Sequence, residues 1–221
     1  MKVLVLGQGG REHAIAWKLS RSLKVEKVFI CPGNGGTALE ENIENINLSV
    51  DDSDSLINFV KKENIDITIV GPEGPLVDGL VDKFKKHNLK IFGPTKNYAI
   101  LEGSKVFAKE FMKNYDIPTA DYQMFSDSKE AKAFVKDKKH PIVIKADGLA
   151  AGKGVVVSSS VEETYKAIDD LLTSNHSDHI VIEEFLTGQE LSAIYVCNFK
   201  GCSFEIALPW TKDYKSRDEY N

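Results

Sequence analysis

Short runs of branched apolar residues alternate with amphipathic stretches along the first hundred residues. Lys2–Leu6 reads as a buried strand, and Arg11–Ser22 carries Ile15, Ala16 and Leu19 at helical spacing. Val28–Ile30 predicts a second strand, and Ser55–Glu63 a helix with Leu56, Phe59 and Val60 on one side. Asp66–Val70 then reads as a strand, Pro75–His87 as a helix and Lys90–Phe92 as a further strand. This β-α-β-α order predicts a parallel, doubly wound sheet. Three glycine-rich turns follow its strands: Gly7-Gln8-Gly9-Gly10, Pro32–Gly36 and Gly71–Pro75. Ligands of such sheets sit beyond the carboxyl ends of the strands, where these turns fall.

The pattern changes after residue 94. A connector holds a helix from Ser104 to about Tyr115, with Ser104 as its N-cap. Next come a strand, a helix at Lys129–Val135, a strand at Ile142–Lys145, a loop, a strand at Gly154–Ser158, a helix at Val161–Leu172 and a strand at His179–Glu184. This order builds a small α+β unit over roughly residues 121–190. Strands at Ser192–Asn198 and Ser203–Leu208 begin another sheet, with one apolar face left uncovered. Trp17, Phe107 and Phe111 read as core residues.

Composition narrows the function classes. A chain of 221 residues with 42% hydrophobic and 28% charged residues has the balance of a globular protein. Its net charge of −5, without a basic run or an aromatic-basic stripe, argues against nucleic acid as a partner. No apolar stretch approaches membrane-spanning length, so no membrane partner is expected. Cys31, Cys197 and Cys202 lack a Cys-x-x-Cys spacing, which points to reduced thiols and a cytoplasmic location. His176 and His179 have no cysteine partners, and no zinc site is expected.

The richest chemistry lies in Ile142–Val157. Two β-branched runs flank a loop with Gly148, Gly152 and Gly154, Lys145 closes the first run, and Lys153 sits within the loop. Such a loop can aim N–H groups at phosphate oxygens while lysines supply compact positive charge. An ordinary lysine-tipped hairpin is the alternative. The spacing Gly148-x-x-x-Gly152-Lys153-Gly154 is not a Walker loop. The first turn is not a dinucleotide fingerprint either, because Glu12 takes the third glycine position and Cys31-Pro32 replaces the ribose-binding acid. A turn opening a helix, with Arg11 beside it, still suits a phosphate ester; tight strand-to-helix turns without a ligand remain the alternative.

Gly9-Gly10-Arg11-Glu12-His13, Pro32–Thr37, Ile69–Glu73, Phe92-Gly93-Pro94, Leu101–Lys105, Lys145–Gly154 and Ile182–Leu186 occur in this order. Together they resemble the phosphoribosylamine–glycine ligase family of ATP-grasp enzymes, from residue 1 to about 215. The resemblance implies an α/β fold: an N-terminal doubly wound parallel (pre-ATP-grasp) sheet over 1–102, then an ATP-grasp domain over 103–221. The latter would hold an α+β lid subdomain at about 121–190 and the start of an antiparallel sheet. It further implies ligation of glycine to 5-phosphoribosylamine, with ATP converted to ADP and phosphate through a glycyl phosphate, in purine biosynthesis. ATP would be held by Lys105, Lys145, Gly148, Gly152, Lys153 and Gly154, by the strand end Glu183, Glu184, Phe185 and Leu186, and by Glu190 at the ribose. Phosphoribosylamine would lie among Gly9, Gly10, Arg11, Asn34, Gly35, Gly71, Pro72 and Glu73. Lys145, Asp213 and Lys215 would be catalytic.

Where the family runs Asp-His-Lys-Arg, this chain reads Asp213-Tyr214-Lys215-Ser216. The family's glycine-rich substrate loop and paired Glu and Asn ligands for Mg²⁺ (or Mn²⁺) are expected beyond Asn221. An N-terminal fragment, inactive alone and monomeric, is therefore the expectation. Alternatives are another ATP-grasp carboxylate–amine ligase, using formate or carbonate, and a non-catalytic nucleotide-binding module.

Overall fold

The structure, a computed structural model, describes residues 1–150, 154–173, 177–197 and 204–212. By its internal contacts the chain divides into two compact units, Met1–Glu184 and Phe185–Asn221.

The first unit opens with strands β1 (Lys2–Gly7), β2 (Lys27–Pro32), β3 (Ile43–Asn45), β4 (Ile67–Val70) and β5 (Ile91–Phe92). They form a parallel sheet in the order β3-β2-β1-β4-β5. Alternate side chains of a strand point to opposite faces, and both faces here are covered. Leu4, Leu6, Phe29 and Cys31 pack with Leu56, Ile57 and Val60 of α2 (Ser53–Glu63) and Phe84 of α4 (Leu80–Lys86). Val3, Val5, Val28 and Ile30 pack on the opposite side with Ala16 of α1 (Gly10–Ser20). The doubly wound expectation holds for this reason. β1 is the topological switch point: the chain leaves it toward β2 and returns on its other side as β4.

Four elements here differ from the sequence reading. The short strand β3 and a 3₁₀ turn at Thr37–Leu39 fill what reads as loop. The helix expected over Pro75–His87 is broken into α3 (Glu73–Val77) and α4, because Gly79 takes φ +86, a left-handed angle that ends α3's turn. The connector holds α5 (Lys96–Gly103) before α6 (Lys105–Asn114). Gly103 lies so close to Val77 of α3 that a Cβ there would stand 2.9 Å from it, so α5 belongs to the packing of the first unit. Trp17 and Phe107 are not core residues; they are exposed, and Arg21 lies over the Trp17 ring at 4.8 Å.

A second sheet follows, from β6 (Tyr122–Phe125), β7 (Ile142–Ala146), β8 (Val155–Ser158) and β9 (Ile180–Glu184), antiparallel throughout in the order β6-β9-β7-β8. One face buries Ile142, Ile144, Ala146, Ile180 and Ile182 against α7 (Ser128–Val135) and α8 (Val161–Thr173). The other face carries Tyr122, Val143, Lys145, Val155, Val157 and Glu183. On this face Val155 and Val157 stay exposed.

The second unit holds two antiparallel pairs, β10 (Leu191–Ser192) with β13 (Thr211–Lys212) and β11 (Tyr195–Cys197) with β12 (Phe204–Ala207). Its Ile194, Ile206, Leu208 and Trp210 are exposed. The expected strand ends at Asn198 and Ser203 lie outside the described residues.

Candidate functional site

Two groups of side chains gather in the first unit, one at the switch point of the parallel sheet and one on the open face of the antiparallel sheet.

At the switch point, α1 starts one residue after its N-cap Gly9. Glu12, in the first turn, folds its carboxylate back to accept the Gly9 N–H at 2.8 Å, half of a capping box. Its side chain is 5% exposed and fills the space between the ends of β1 and β4. A Cβ on Gly7 or Gly71 would collide with it. The residue that takes the fingerprint's third glycine position therefore fills the space between the strand ends, where that glycine would let helix and strand pack closely.

Arg11 projects outward and donates to Glu73 Oε1 at 2.9 Å, from the first turn of α1 to the first residue of α3. That hydrogen bond, helped by the Glu73 charge, raises the guanidinium's already high pKa. Burial disfavours ionisation of Glu73, but its own backbone N–H and Arg11 outweigh this and hold the carboxyl below its usual range. Asn34 is engaged within its own loop and with the first turn. Its Oδ1 accepts from the N–H groups of Gly36 and Thr37 at 2.8 and 3.0 Å, and its Nδ2 donates to Gln8 O at 2.8 Å. His13 meets Glu40 at 3.0 Å beside it. Gly10 and Gly35 face open space, whereas Gly9 lies against Glu12. Pro72 is the N-cap of α3. The structure thus brings together Gly9, Gly10, Arg11, Asn34, Gly35, Gly71, Pro72 and Glu73 around the switch point, with Arg11 and Glu73 already paired.

On the second sheet, Lys145 and Glu183 share a face because Val143 is opposite Glu183 in the register, which places Lys145 diagonally from it. Lys145 Nζ donates to Glu183 Oε2 at 2.9 Å. Glu183 is buried, so its carboxylate holds lysine instead of facing solvent. Glu184 is exposed, and its backbone N–H is engaged by Asp121 O at 2.9 Å. Its carboxylate accepts from Asp121 N–H at 2.9 Å.

The root of the glycine-rich loop is tied down on both sides. Ala146 N–H donates to Gly154 O at 2.7 Å, closing the hairpin below the loop. Asp147 accepts from the Ser104 hydroxyl at 3.1 Å and from Val106 N–H at 3.1 Å, and so caps α6. Ser104 itself accepts from Phe107 N–H at 3.1 Å, the N-cap role expected of it. Lys105 Nζ donates to Gly148 O at 2.7 Å, at a glycine with φ +83. Lys105 is thereby tied to Gly148, Gly154 to the end of β7, and Lys145 to Glu183. Gly152, Lys153, Asp213 and Lys215 lie outside the described residues. In the second unit Phe185, Leu186 and Glu190 are exposed. The sequence reading missed Asp147 and Lys109; an aspartate opening a glycine-rich loop and a lysine within an amphipathic helix carry no local signal of a tertiary partner.

Known proteins place this geometry. The family model for the phosphoribosylglycinamide synthetase N domain matches residues 1–102, and that for the synthetase's ATP-grasp (A) domain matches residues 103–219. The chain belongs to the phosphoribosylglycinamide synthetase family. It is 54% identical to the phosphoribosylamine–glycine ligase of Escherichia coli (strain K12) over 198 residues, 88% of this chain and 46% of that protein. The crystal structure of phosphoribosylamine–glycine ligase from Thermotoga maritima superposes with a TM-score of 0.75 at 36% identity, over 97% of this chain and 51% of that one. N5-carboxyaminoimidazole synthetase from Staphylococcus aureus, complexed with ADP, shares the fold with a TM-score of 0.68 at 17% identity, over 97% of this chain and 55% of that one. The chain spans about half the length of the curated relatives it matches. The two family models meet at residue 102, inside the first compact unit. Among the described residues, no helix is long and apolar enough to cross a membrane, and no group of three or more His, Cys, Asp or Glu side chains could hold a metal ion.

Proposed function

We propose that this chain carries the phosphoribosylamine and nucleotide sites of a ligase that joins glycine to 5-phosphoribosylamine in purine biosynthesis, converting ATP to ADP and phosphate. The observation that carries the reading is the open face of the second sheet. Exposed Val155 and Val157 lie beside Lys145, and Lys105 holds the root of a glycine-rich loop next to them. An apolar surface for a base, two ammonium groups and backbone N–H groups for phosphates are the elements a nucleotide requires. Membership in the synthetase family supports the same reading.

In this reading residues 1–102 form the phosphoribosylamine domain and 103–221 the ATP-grasp part, with a lid at about 121–190. Gly10 and Gly35 leave room for a sugar phosphate at the switch point, and Arg11 turns from Glu73 toward the anion as a bidentate fork. Lys145 and Lys105 neutralise the nucleotide phosphates, with Gly148–Gly154 closing above them. Phe185, Leu186 and Glu190 keep the adenine and ribose roles implied by the family, and Asp213 and Lys215 the catalytic ones. The glycine carboxylate attacks the γ-phosphorus, ADP leaves, and the amine of phosphoribosylamine then attacks the acyl carbon and expels phosphate. The closed loop excludes water from the acyl phosphate. A divalent cation, Mg²⁺ or Mn²⁺, belongs to this proposal, but the described residues contain no donor set for it and no step is assigned to it. The protein acts as a cytoplasmic monomer.

The test is phosphate release from ATP by the full-length enzyme that contains this chain. Release is expected to require both glycine and phosphoribosylamine; release that needs neither sinks the assignment.

A further inference from the structure

Lys109 takes no part in the chemistry above, yet it is among the most enclosed charges in the molecule, at 5% exposure on α6. Its ammonium donates to Thr119 Oγ1 at 2.8 Å and Ala120 O at 3.2 Å, and stands 5.0 Å from the centre of the Tyr122 ring. It also lies 3.4 Å from Glu183 Oε2, the same oxygen that Lys145 Nζ approaches to 2.9 Å. A buried charge is costly unless paired. Here two ammonium groups share one carboxylate, which leaves a surplus of one positive charge. Lys109 is enclosed and held by Thr119 and Ala120, whereas the Lys145 side chain keeps 29% exposure on the open apolar face. The surplus is therefore presented at Lys145.

The geometry points to Lys109 as a positioning residue for polyphosphate binding: by sharing Glu183, it leaves that single carboxylate unable to offset both ammonium groups, so net positive charge remains at the exposed Lys145, available to an anion. This rests on the nucleotide reading of the open face. Without Lys109, Glu183 and Lys145 form a closed neutral pair, and an incoming phosphate must compete with a carboxylate.

The test is calorimetric titration of the 221-residue chain with ADP and with adenosine, using wild type, Lys109→Met, Glu183→Gln and the double variant. Lys109→Met is expected to weaken ADP about tenfold, the scale of one charge-assisted hydrogen bond, and to leave adenosine unchanged. In the Glu183→Gln background the same change is expected to have no effect on ADP, because no carboxylate remains to be shared. Lys109→Gln, which can still reach Thr119, takes the place of Lys109→Met if circular dichroism shows the latter unfolded. ADP affinity equal to wild type overturns the inference. Equal losses for ADP and adenosine overturn it in favour of a packing role, and a loss that persists in the Glu183→Gln background overturns the route through Glu183. Wild type binding neither ligand overturns the nucleotide reading itself, a result distinct from the others.

Discussion

Glu12 shows how one residue sets the limits of a site. Its buried carboxylate caps α1 and occupies the space that Gly7 and Gly71 leave empty. Gly71→Ala must displace that side chain or the end of β4, and should cost about 1–3 kcal/mol, as overpacking does. Gly10→Ala projects into open space at the first turn of a helix, so it should be neutral or stabilising by up to about 1 kcal/mol. Urea unfolding of the two variants checks the contrast. A Gly10→Ala protein that stays stable but loses phosphoribosylamine use would show that this glycine serves a ligand. The lysines make a second contrast. Lys145→Ala leaves Glu183 paired with Lys109, so stability should change by about 1 kcal/mol or less while ADP binding weakens at least about tenfold. Glu183→Ala strands Lys109 without its carboxylate and should cost about 3–5 kcal/mol. Equal stability losses in the two variants would contradict the shared-carboxylate arrangement. Lys145 was legible as a candidate from its place beside the glycine-rich loop. Its partner Lys109 was not, because 73 residues of helix, strand and loop lie between Lys109 and Glu183 and only the packing of α6 against β9 brings them together.

Among the elements, α7 and α8 are tied by charge as well as by apolar packing. Asp169 of α8 accepts from Lys132 Nζ at 2.6 Å and Ser128 Oγ at 2.7 Å, both on α7. The hydrogen bond from Lys132, then that from Ser128, holds the Asp169 carboxyl below its usual range. A carboxyl lowered in the folded state binds its proton less readily than in the unfolded chain. Its contribution is therefore full above the unfolded value, about 3.9, and is lost as pH falls through the lower folded value. The difference in unfolding free energy between wild type and Asp169→Asn should be constant near neutrality and shrink below about pH 4. A difference independent of pH would remove Asp169 from this linkage. Helix α7 begins after its N-cap Asp127, which accepts from the N–H groups of Lys129 and Glu130 at 2.8 and 2.9 Å. Asp127→Ala should cost about 0.5–2 kcal/mol in chemical denaturation. Most elements could be read from apolar periodicity with ends displaced by a residue or two. Those that could not, β3 and α5, are too short or too weakly amphipathic to show a period, and the break at Gly79 is a matter of backbone angle.

For the whole molecule, the nucleotide reading makes a thermodynamic demand. A ligand that binds the folded chain alone stabilises it by about 2.7 kcal/mol at a hundred times its dissociation constant. ADP should raise the melting temperature of the wild type and have a much smaller effect on Lys145→Ala at the same concentration; equal shifts would place the nucleotide elsewhere. By itself the sequence determined the parallel doubly wound sheet, an α+β unit after it, and the turns where ligands would gather, because apolar period and glycine placement are local properties. Its ordered motifs also carried the family. Tertiary structure alone decided which charges meet: Arg11 with Glu73, Asp147 with the start of α6, and Lys109 with Lys145 on one carboxylate. Such pairs depend on strand register and helix placement across long stretches of chain, and a charged residue looks the same in sequence whether it faces water or a buried partner.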